Sequence, residues 1–236
     1  MNRTRIDWCN FSWNPVTGCL HNCNFCYARN IAYRFTPKNK LGHDCTQPSR
    51  RLHEIRYKSQ AFKYGFKPTL HSYRLNEPFR IKKPSKIFVC SMADLFGDWV
   101  PLGWIAQIVN TAKQCPQHVF QFLTKNSKRY YGIQMPSNCW RGVTITKGKA
   151  KVFPLVDSGI RFVSFEPLLG DIKMTGYSFD WIIIGVMSGP KANKYKPRVE
   201  WIENILKQAD ERKIPVYMKD NLRSVWQDKL RKEFPK

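Results

Sequence analysis

Short apolar runs recur along this chain, and most of them are followed by a polar turn and then by a segment with the composition of a helix. The runs are continuously apolar and do not alternate with polar positions, which is typical of strands covered on both faces, as in a parallel sheet. The strands predicted in this way are Trp13–Gly18, Lys86–Ser91, Val119–Thr124, Trp140–Ile145, Arg161–Phe165, Trp181–Val186 and Pro215–Met218.

Two segments between these runs have the periodicity of amphipathic helices. Leu102–Lys113 places Ile105, Ile108 and Val109 on one stripe, and Val199–Arg212 has a similar apolar spacing. The alternation of strands and helices predicts βα units, so the fold class is α/β. An open doubly wound sheet and a full or partial (β/α) barrel both agree with this pattern.

The stretch from about residue 36 to residue 83 interrupts the alternation. It is rich in basic and aromatic residues, and its apolar pattern predicts no buried strand. We interpret it as an insertion of loops with one helix around Arg51–Tyr64, placed after the first βα unit. A length of 236 residues then favours a single domain over residues 1–236.

The charge balance is strongly basic, with 40 Lys and Arg residues against 17 Asp and Glu residues and a formal net charge of +23. This excess indicates a polyanionic partner, although a solvated basic surface without a ligand has the same composition. The most apolar run, Trp181–Val186, is too short to span a membrane, and residues 1–7 lack the apolar core of a secretory signal. We therefore expect a cytoplasmic protein that does not contact a membrane.

Eight cysteines in a chain without a secretory signal favour reduced thiols, some of them binding metal. Cys19, Cys23 and Cys26 have the spacing C-x3-C-x2-C after the first predicted strand. Three thiolates so close together can hold three corners of a [4Fe–4S] cluster and leave the fourth iron open. A structural zinc ion needs one more ligand, and the nearby candidates are Cys9, His21, His43 and Cys45. Spacing alone leaves both metals open.

With Phe25 before the last cysteine and a predicted helix from Tyr27 to about Phe35, the motif resembles that of the radical S-adenosylmethionine (SAM) superfamily. The resemblance implies that Cys19, Cys23 and Cys26 hold a [4Fe–4S] cluster. It also implies that the open iron binds SAM and that one electron cleaves SAM to a 5′-deoxyadenosyl radical. An electron donor such as a flavodoxin or a ferredoxin is a further implication.

Flanking segments narrow the resemblance to one family. They are Trp13–Cys19, Lys67–His71, Phe88–Phe96, Phe122–Lys125, Phe165–Gly170 and Ser188–Pro190. Together they resemble the phage-associated three-cysteine-motif family, which is of unsettled function and is itself similar to spore photoproduct lyase. The family resemblance implies a partial (β/α) barrel of the radical SAM type. The chain departs from the family at Gly185-Val186-Met187, where Gly-Gly-Glu is usual, which removes a carboxylate.

Polar residues just past each strand of a βα barrel face the pocket. The residues predicted to surround the cofactor are Phe25, Tyr27, Ser91, Asp94, Thr124, Lys125, Thr144 and Glu166. The resemblance implies that such positions hold the ammonium, carboxylate and ribose of SAM, while capping or ion-pair roles are the alternative. Cys90 ends a predicted strand and is the candidate hydrogen-atom donor, although a small buried residue has the same pattern.

Basic and aromatic residues interleave around residues 57–74 and 128–131, a mixture that suits phosphate contacts beside base stacking. Our first hypothesis is therefore a monomeric radical SAM enzyme that repairs or modifies a nucleic-acid base, with DNA favoured over RNA. The second is a radical SAM enzyme acting on a peptide or a small metabolite. The third is a non-catalytic, zinc-stabilised nucleic-acid-binding protein.

Overall fold

The computed structural model describes residues 1–36, 52–58, 62–150, 159–175, 179–189 and 192–236. The strands are β1 (Asn2–Arg3), β2 (Phe11–Trp13), β3 (Val16–Thr17), β4 (His53–Ile55), β5 (Thr69–His71), β6 (Lys86–Val89), β7 (Val119–Thr124), β8 (Cys139–Thr144), β9 (Gly148–Lys149), β10 (Arg161–Phe165), β11 (Ile172–Lys173), β12 (Trp181–Ile184) and β13 (Val216–Met218). The α-helices are α1 (Tyr27–Phe35), α2 (Leu102–Lys113) and α3 (Val199–Glu211), and short 3₁₀ turns cover Ser72–Arg74, Pro78–Arg80, Ser127–Tyr130, Ala192–Tyr195 and Asp220–Ser224. Within these described ranges, no helix combines the length and the apolar character that crossing a bilayer requires.

Eight strands form one sheet in the order β1-β2-β6-β7-β8-β10-β12-β13. Every neighbouring pair is parallel except β1 and β2, which are antiparallel. The predicted α/β class and parallel sheet are confirmed, and six of the seven predicted strands lie within two residues of their predicted bounds. Because the parallel strands follow one another in chain order, their carboxyl ends meet along one edge of the sheet.

The two faces of the sheet are buried in different ways. Apolar side chains of one face pack with α2 and α3, through residues such as Ile105, Ile108 and Ile205. The other face carries a separate aromatic cluster in which Trp8 contacts Phe162 and Trp181. The continuously apolar runs of the sequence therefore reflect burial on both faces.

The predicted strand Trp13–Gly18 is wrong, because the structure divides it between two sheets. β2 ends at Trp13 in the main sheet, whereas β3 pairs with β5 in a three-stranded sheet of order β3-β5-β4. Pro15 lies between the two strands, and a proline has no N–H to donate to a strand ladder. The break lets the Pro15 carbonyl accept from the His71 N–H at 2.7 Å.

The insertion also differs from its prediction. It contains a strand, β5, whose three residues are all buried, and β4 pairs parallel to β5. The helix predicted around Arg51–Tyr64 is wrong where the structure describes that segment, since β4 and a turn occupy residues 53–55 and 62–64. The segment forms β4 instead of a helix because the backbone N–H and C=O groups of the buried strand β5 need hydrogen-bond partners, and pairing with β4 supplies them.

Candidate functional site

A cavity of about 550 Å³ lies at the carboxyl ends of the parallel strands. Its wall contains all twelve residues that the sequence predicts for the site: Cys19, Cys23, Phe25, Cys26, Tyr27, Cys90, Ser91, Asp94, Thr124, Lys125, Thr144 and Glu166. Trp8 and Phe88 of the aromatic cluster also line it. The topology thus brings the predicted residues together, while their chemical roles stay predictions.

The cysteine loop, residues 18–26, is fixed by backbone contacts at its start. Gly18 has φ +87°, and a Cβ there would lie 2.2 Å from the Lys67 carbonyl oxygen, so only glycine fits. The Gly18 N–H donates to the Met92 carbonyl at 2.9 Å. At its end, the loop turns into α1 with Cys26 as the N-cap, whose Sγ accepts from the Arg29 N–H at 3.4 Å.

The three thiols of the loop are free and close enough to influence one another electrostatically. Burial raises the pKa of Cys19 to about 12, so its thiol is protonated at neutral pH unless a cation stabilises the thiolate. In the described part of the chain, no three His, Cys, Asp or Glu side chains converge as ligands of one metal ion. Three thiols from one loop are ligands that an iron–sulfur cluster and a zinc ion both accept.

Asp94 ties the cysteine loop to the sheet. Its Oδ2 lies 2.7 Å from His21 Nε2 and accepts from the Lys125 N–H at 2.9 Å. Its Oδ1 accepts from Thr124 Oγ1 at 2.6 Å and from the Phe96 N–H at 3.1 Å. Burial alone would raise the pKa of Asp94, but the hydrogen bonds from His21, Lys125 and Thr124 outweigh burial and lower it. The carboxylate is therefore ionised and well satisfied by protein donors.

Glu166 forms an ion pair with Lys219 across the cavity wall. Lys219 Nζ lies 2.5 Å from Glu166 Oε1, and both side chains are largely buried. A Cβ on Gly185 would come within 3.0 Å of both side chains, so the glycine leaves room for the pair. Met187 lines the same cavity.

The remaining predicted residues hold neighbouring segments together. Tyr27 Oη donates to the Ser91 carbonyl at 2.9 Å, and Ser91 Oγ donates to Asn14 Oδ1 at 3.1 Å. Cys90 is buried in the cavity wall with φ +59°, and its N–H donates to the Trp13 carbonyl at 2.8 Å. Burial raises the pKa of Cys90 to about 12, which keeps the thiol neutral.

Lys219 and Trp8 are two of the wall residues that sequence reasoning missed. Lys219 directly follows β13, so the rule that polar residues past strand ends face the pocket would have found it. Trp8 precedes β2 and enters the cavity wall from the loop between β1 and β2. No sequence signal indicates that placement, because it depends on the packing of Trp8 against Phe88.

The fold and the site define an α/β protein with a mostly parallel sheet and a thiol-lined cavity at the carboxyl ends of its strands. The chain belongs to DUF5131, a family of proteins of unknown function whose model matches residues 3–233. Comparisons with curated proteins and with solved structures found no match. A functional assignment therefore has to rest on the residues of the site.

Proposed function

We propose that this chain is a radical SAM enzyme that acts on a nucleic-acid base, with DNA favoured over RNA. The observation that carries the proposal is the cysteine loop, which places three free thiols in the wall of one cavity at the carboxyl edge of the sheet. In βα folds this edge is where catalytic residues collect. The net charge of +23 supports a polyanionic substrate.

We also propose that the sheet is a partial (β/α) barrel of the radical SAM type. The support is the strand order, in which β2, β6, β7, β8, β10, β12 and β13 follow one another without a reversal. A doubly wound sheet reverses its order at a switch point, where its ligand binds. A sheet without reversal places its crossovers on one face, which is the arrangement of a barrel.

In this proposal, Cys19, Cys23 and Cys26 hold a [4Fe–4S] cluster and leave one iron open for SAM. The cluster supplies reductive cleavage of SAM and, through it, hydrogen-atom abstraction. The chain's own residues orient the ligand: Glu166 is a carboxylate acceptor for an ammonium or for ribose hydroxyls. Thr144, Ser91 and Phe25 line the space beside it.

Two further residues have proposed roles in the reaction. Cys90 keeps a neutral S–H inside the cavity, as a hydrogen-atom donor requires. Lys219, held by Glu166, provides a cation for a carboxylate or a phosphate oxygen. A base within a duplex cannot reach these groups and has to be extruded.

The proposal extends to partners and location. Reductive cleavage needs an electron donor such as a flavodoxin or a ferredoxin, and free thiols need a reducing compartment such as the cytoplasm. We propose that the protein works as a monomer.

The test is anaerobic reconstitution with iron, sulfide and reductant. We expect a brown protein with broad absorption near about 400 nm, SAM cleavage, and altered nucleosides after digestion of a nucleic acid treated with the enzyme. Cys23→Ala should abolish cluster and SAM cleavage, whereas Cys115→Ala, a buried free cysteine outside the cavity wall, should retain both. SAM cleavage by Cys23→Ala would refute the proposal. If the enzyme converts a peptide or a metabolite and leaves nucleic acid unchanged, the second hypothesis replaces the first.

One observation favours the third hypothesis, a zinc-stabilised nucleic-acid-binding protein. His21 lies inside the cysteine loop, and its Nε2 is paired with Asp94, an arrangement that often orients a metal-binding histidine. Its Nδ1 would then be the fourth zinc ligand. Purification of a colourless protein with one equivalent of zinc and no iron uptake would favour this candidate.

A further inference from the structure

Two short strands, β9 and β11, form a separate sheet in the segments that follow β8 and β10. β9 and β11 pair parallel, with Lys149 directly opposite Lys173. Thr144 lines the cavity, and Lys147 follows it by three residues, so at most roughly 10 Å of extended chain separates them. The exposed residues Lys147, Lys149 and Lys173 are called the lysine ledge below.

The lysines of the ledge make no direct ion pair in the described part of the chain. None of its three ammonium groups forms an ion pair or a side-chain hydrogen bond with any described residue. Among the described residues of the adjoining segment, Glu166 pairs with Lys219, and Asp171 accepts from the Asn204 amide at 2.7 Å. The ledge therefore presents its positive charge to solvent.

Lys149 and Lys173 bring two like charges onto neighbouring strands, which lie roughly 4.8 Å apart. Like charges at such a separation repel each other. An anion that bridges the two ammonium groups would remove this repulsion. Between Lys147 and Lys149, Gly148 has φ +81° and open space around its Cβ position, so a ligand can approach the main chain closely.

We infer that the lysine ledge docks the phosphate backbone of duplex DNA beside the cavity. Lysines bind phosphates as point charges, which fix the register of a nucleic acid without reading its sequence. Duplex DNA is the polyanion that the proposed function favours, and the net charge of +23 agrees with a polyanionic partner. The inference rests on the proposed function because it names the partner of that cavity.

The test compares two triple variants of equal charge in a binding titration with a fluorescein-labelled DNA duplex between about 50 and 200 mM NaCl. The ledge variant is Lys147→Gln, Lys149→Gln and Lys173→Gln. The control variant is Lys113→Gln, Lys207→Gln and Lys229→Gln, all exposed and outside the cavity wall. We expect the ledge variant to bind at least about tenfold more weakly at about 100 mM NaCl, with a log–log salt slope reduced by about 0.9 per lysine.

The control variant should change affinity by less than about threefold, because the Debye length at this salt concentration is only about 10 Å. Equal losses in the two triples would overturn the inference, as would tighter binding of a matched RNA duplex. Lys173→Glu is a further probe, since it places a carboxylate opposite Lys149. This substitution should raise the melting temperature of the protein and weaken its DNA binding. If the ledge does not contact DNA, the substitution will leave DNA binding unchanged.

The outcome for the ledge can be separated from that for the cluster. Cluster absorption and SAM cleavage are measured for the ledge variant without DNA, and both should equal those of the unmodified protein. A protein that binds no cluster but still loses DNA binding in the ledge variant would refute the proposed function and support the ledge. If the protein binds the cluster but the ledge substitutions leave its DNA affinity unchanged, the result would support the proposed function and refute the ledge.

Discussion

Asp94 is the side chain that connects the middle of the cysteine loop to the main sheet. Its carboxylate contacts His21 inside the loop and accepts from the Phe96 N–H after β6 and from Thr124 and Lys125 at the end of β7. If the proposed function is correct, Asp94→Asn should lower the iron bound per chain several-fold, because an amide has one acceptor oxygen where the carboxylate has two. Losing such charged hydrogen bonds costs about 1–3 kcal/mol. Iron analysis after reconstitution measures the effect.

The control for Asp94 is Asp98→Asn, since the Asp98 side chain is 84% exposed and lies four residues further along. A second measurement is independent of the metal: the thiols of the loop should react faster with a disulfide reagent in Asp94→Asn before reconstitution. Iron content and thiol rates equal to those of Asp98→Asn would show that Asp94 does not position the loop.

His71 makes the stability of the fold depend on pH. It is fully buried on β5, with Nε2 2.9 Å from Thr17 Oγ1. Burial, and then the charge of Arg74, lowers the pKa of His71 from 6.5 to about 3. Between these pH values the unfolded chain binds a proton that the folded chain does not. The contribution to stability is therefore complete above about pH 6.5 and is lost as the pH falls towards 3.

We predict that the free energy of unfolding falls by up to about 1.4 kcal/mol for each pH unit below about 6, relative to that of His71→Gln. Urea denaturation of both proteins between about pH 7.5 and pH 5 measures the difference, before most carboxylates titrate. Parallel pH profiles for the two proteins would contradict a neutral, buried His71. His71→Asn serves as the second variant if the glutamine does not fit.

At the level of elements, the long strands and the amphipathic helices were predictable, whereas the short strands were not. β7 and β10 each carry five or six residues in an apolar run, and α2 places its apolar residues on one stripe, so local pattern and burial agree. β5 has three residues, too few for a period to emerge. Its strand character comes from pairing with β3 and β4, which are distant in sequence.

The same distinction applies to the site. Seven of the twelve predicted wall residues were found because the carboxyl ends of parallel strands meet, whatever the details of packing. The other five were found from the cysteine motif, and they are Cys19, Cys23, Phe25, Cys26 and Tyr27. Asn14 could not be predicted, since its role depends on three-dimensional contacts: its Oδ1 accepts from Ser91 Oγ and from the Met92 N–H. The Asp94–His21 contact joins residues 73 positions apart and likewise needed the fold.

On the scale of the whole molecule, both ends of the chain support the cavity. Thr4, Ile6 and Trp8 contribute to its wall from the N-terminal segment. The C-terminal segment packs under the same region, where Lys232 forms ion pairs with Asp7 and Asp220. A ligand in the cavity therefore contacts segments that only the complete fold brings together, and its binding should stabilise the whole chain.

If the proposed function is correct, SAM should raise the melting temperature of the cluster-loaded protein. A ligand at one hundred times its Kd adds about 2.7 kcal/mol to the free energy of unfolding. For a chain of 236 residues this corresponds to a shift of about 5–10 °C. Anaerobic scanning calorimetry measures it, with methionine alone as the ligand control and Cys115→Ala as the matched variant that keeps the shift. Because the open iron is the proposed anchor for SAM, an equal shift in Cys23→Ala would mean that the cavity binds SAM without the cysteine loop.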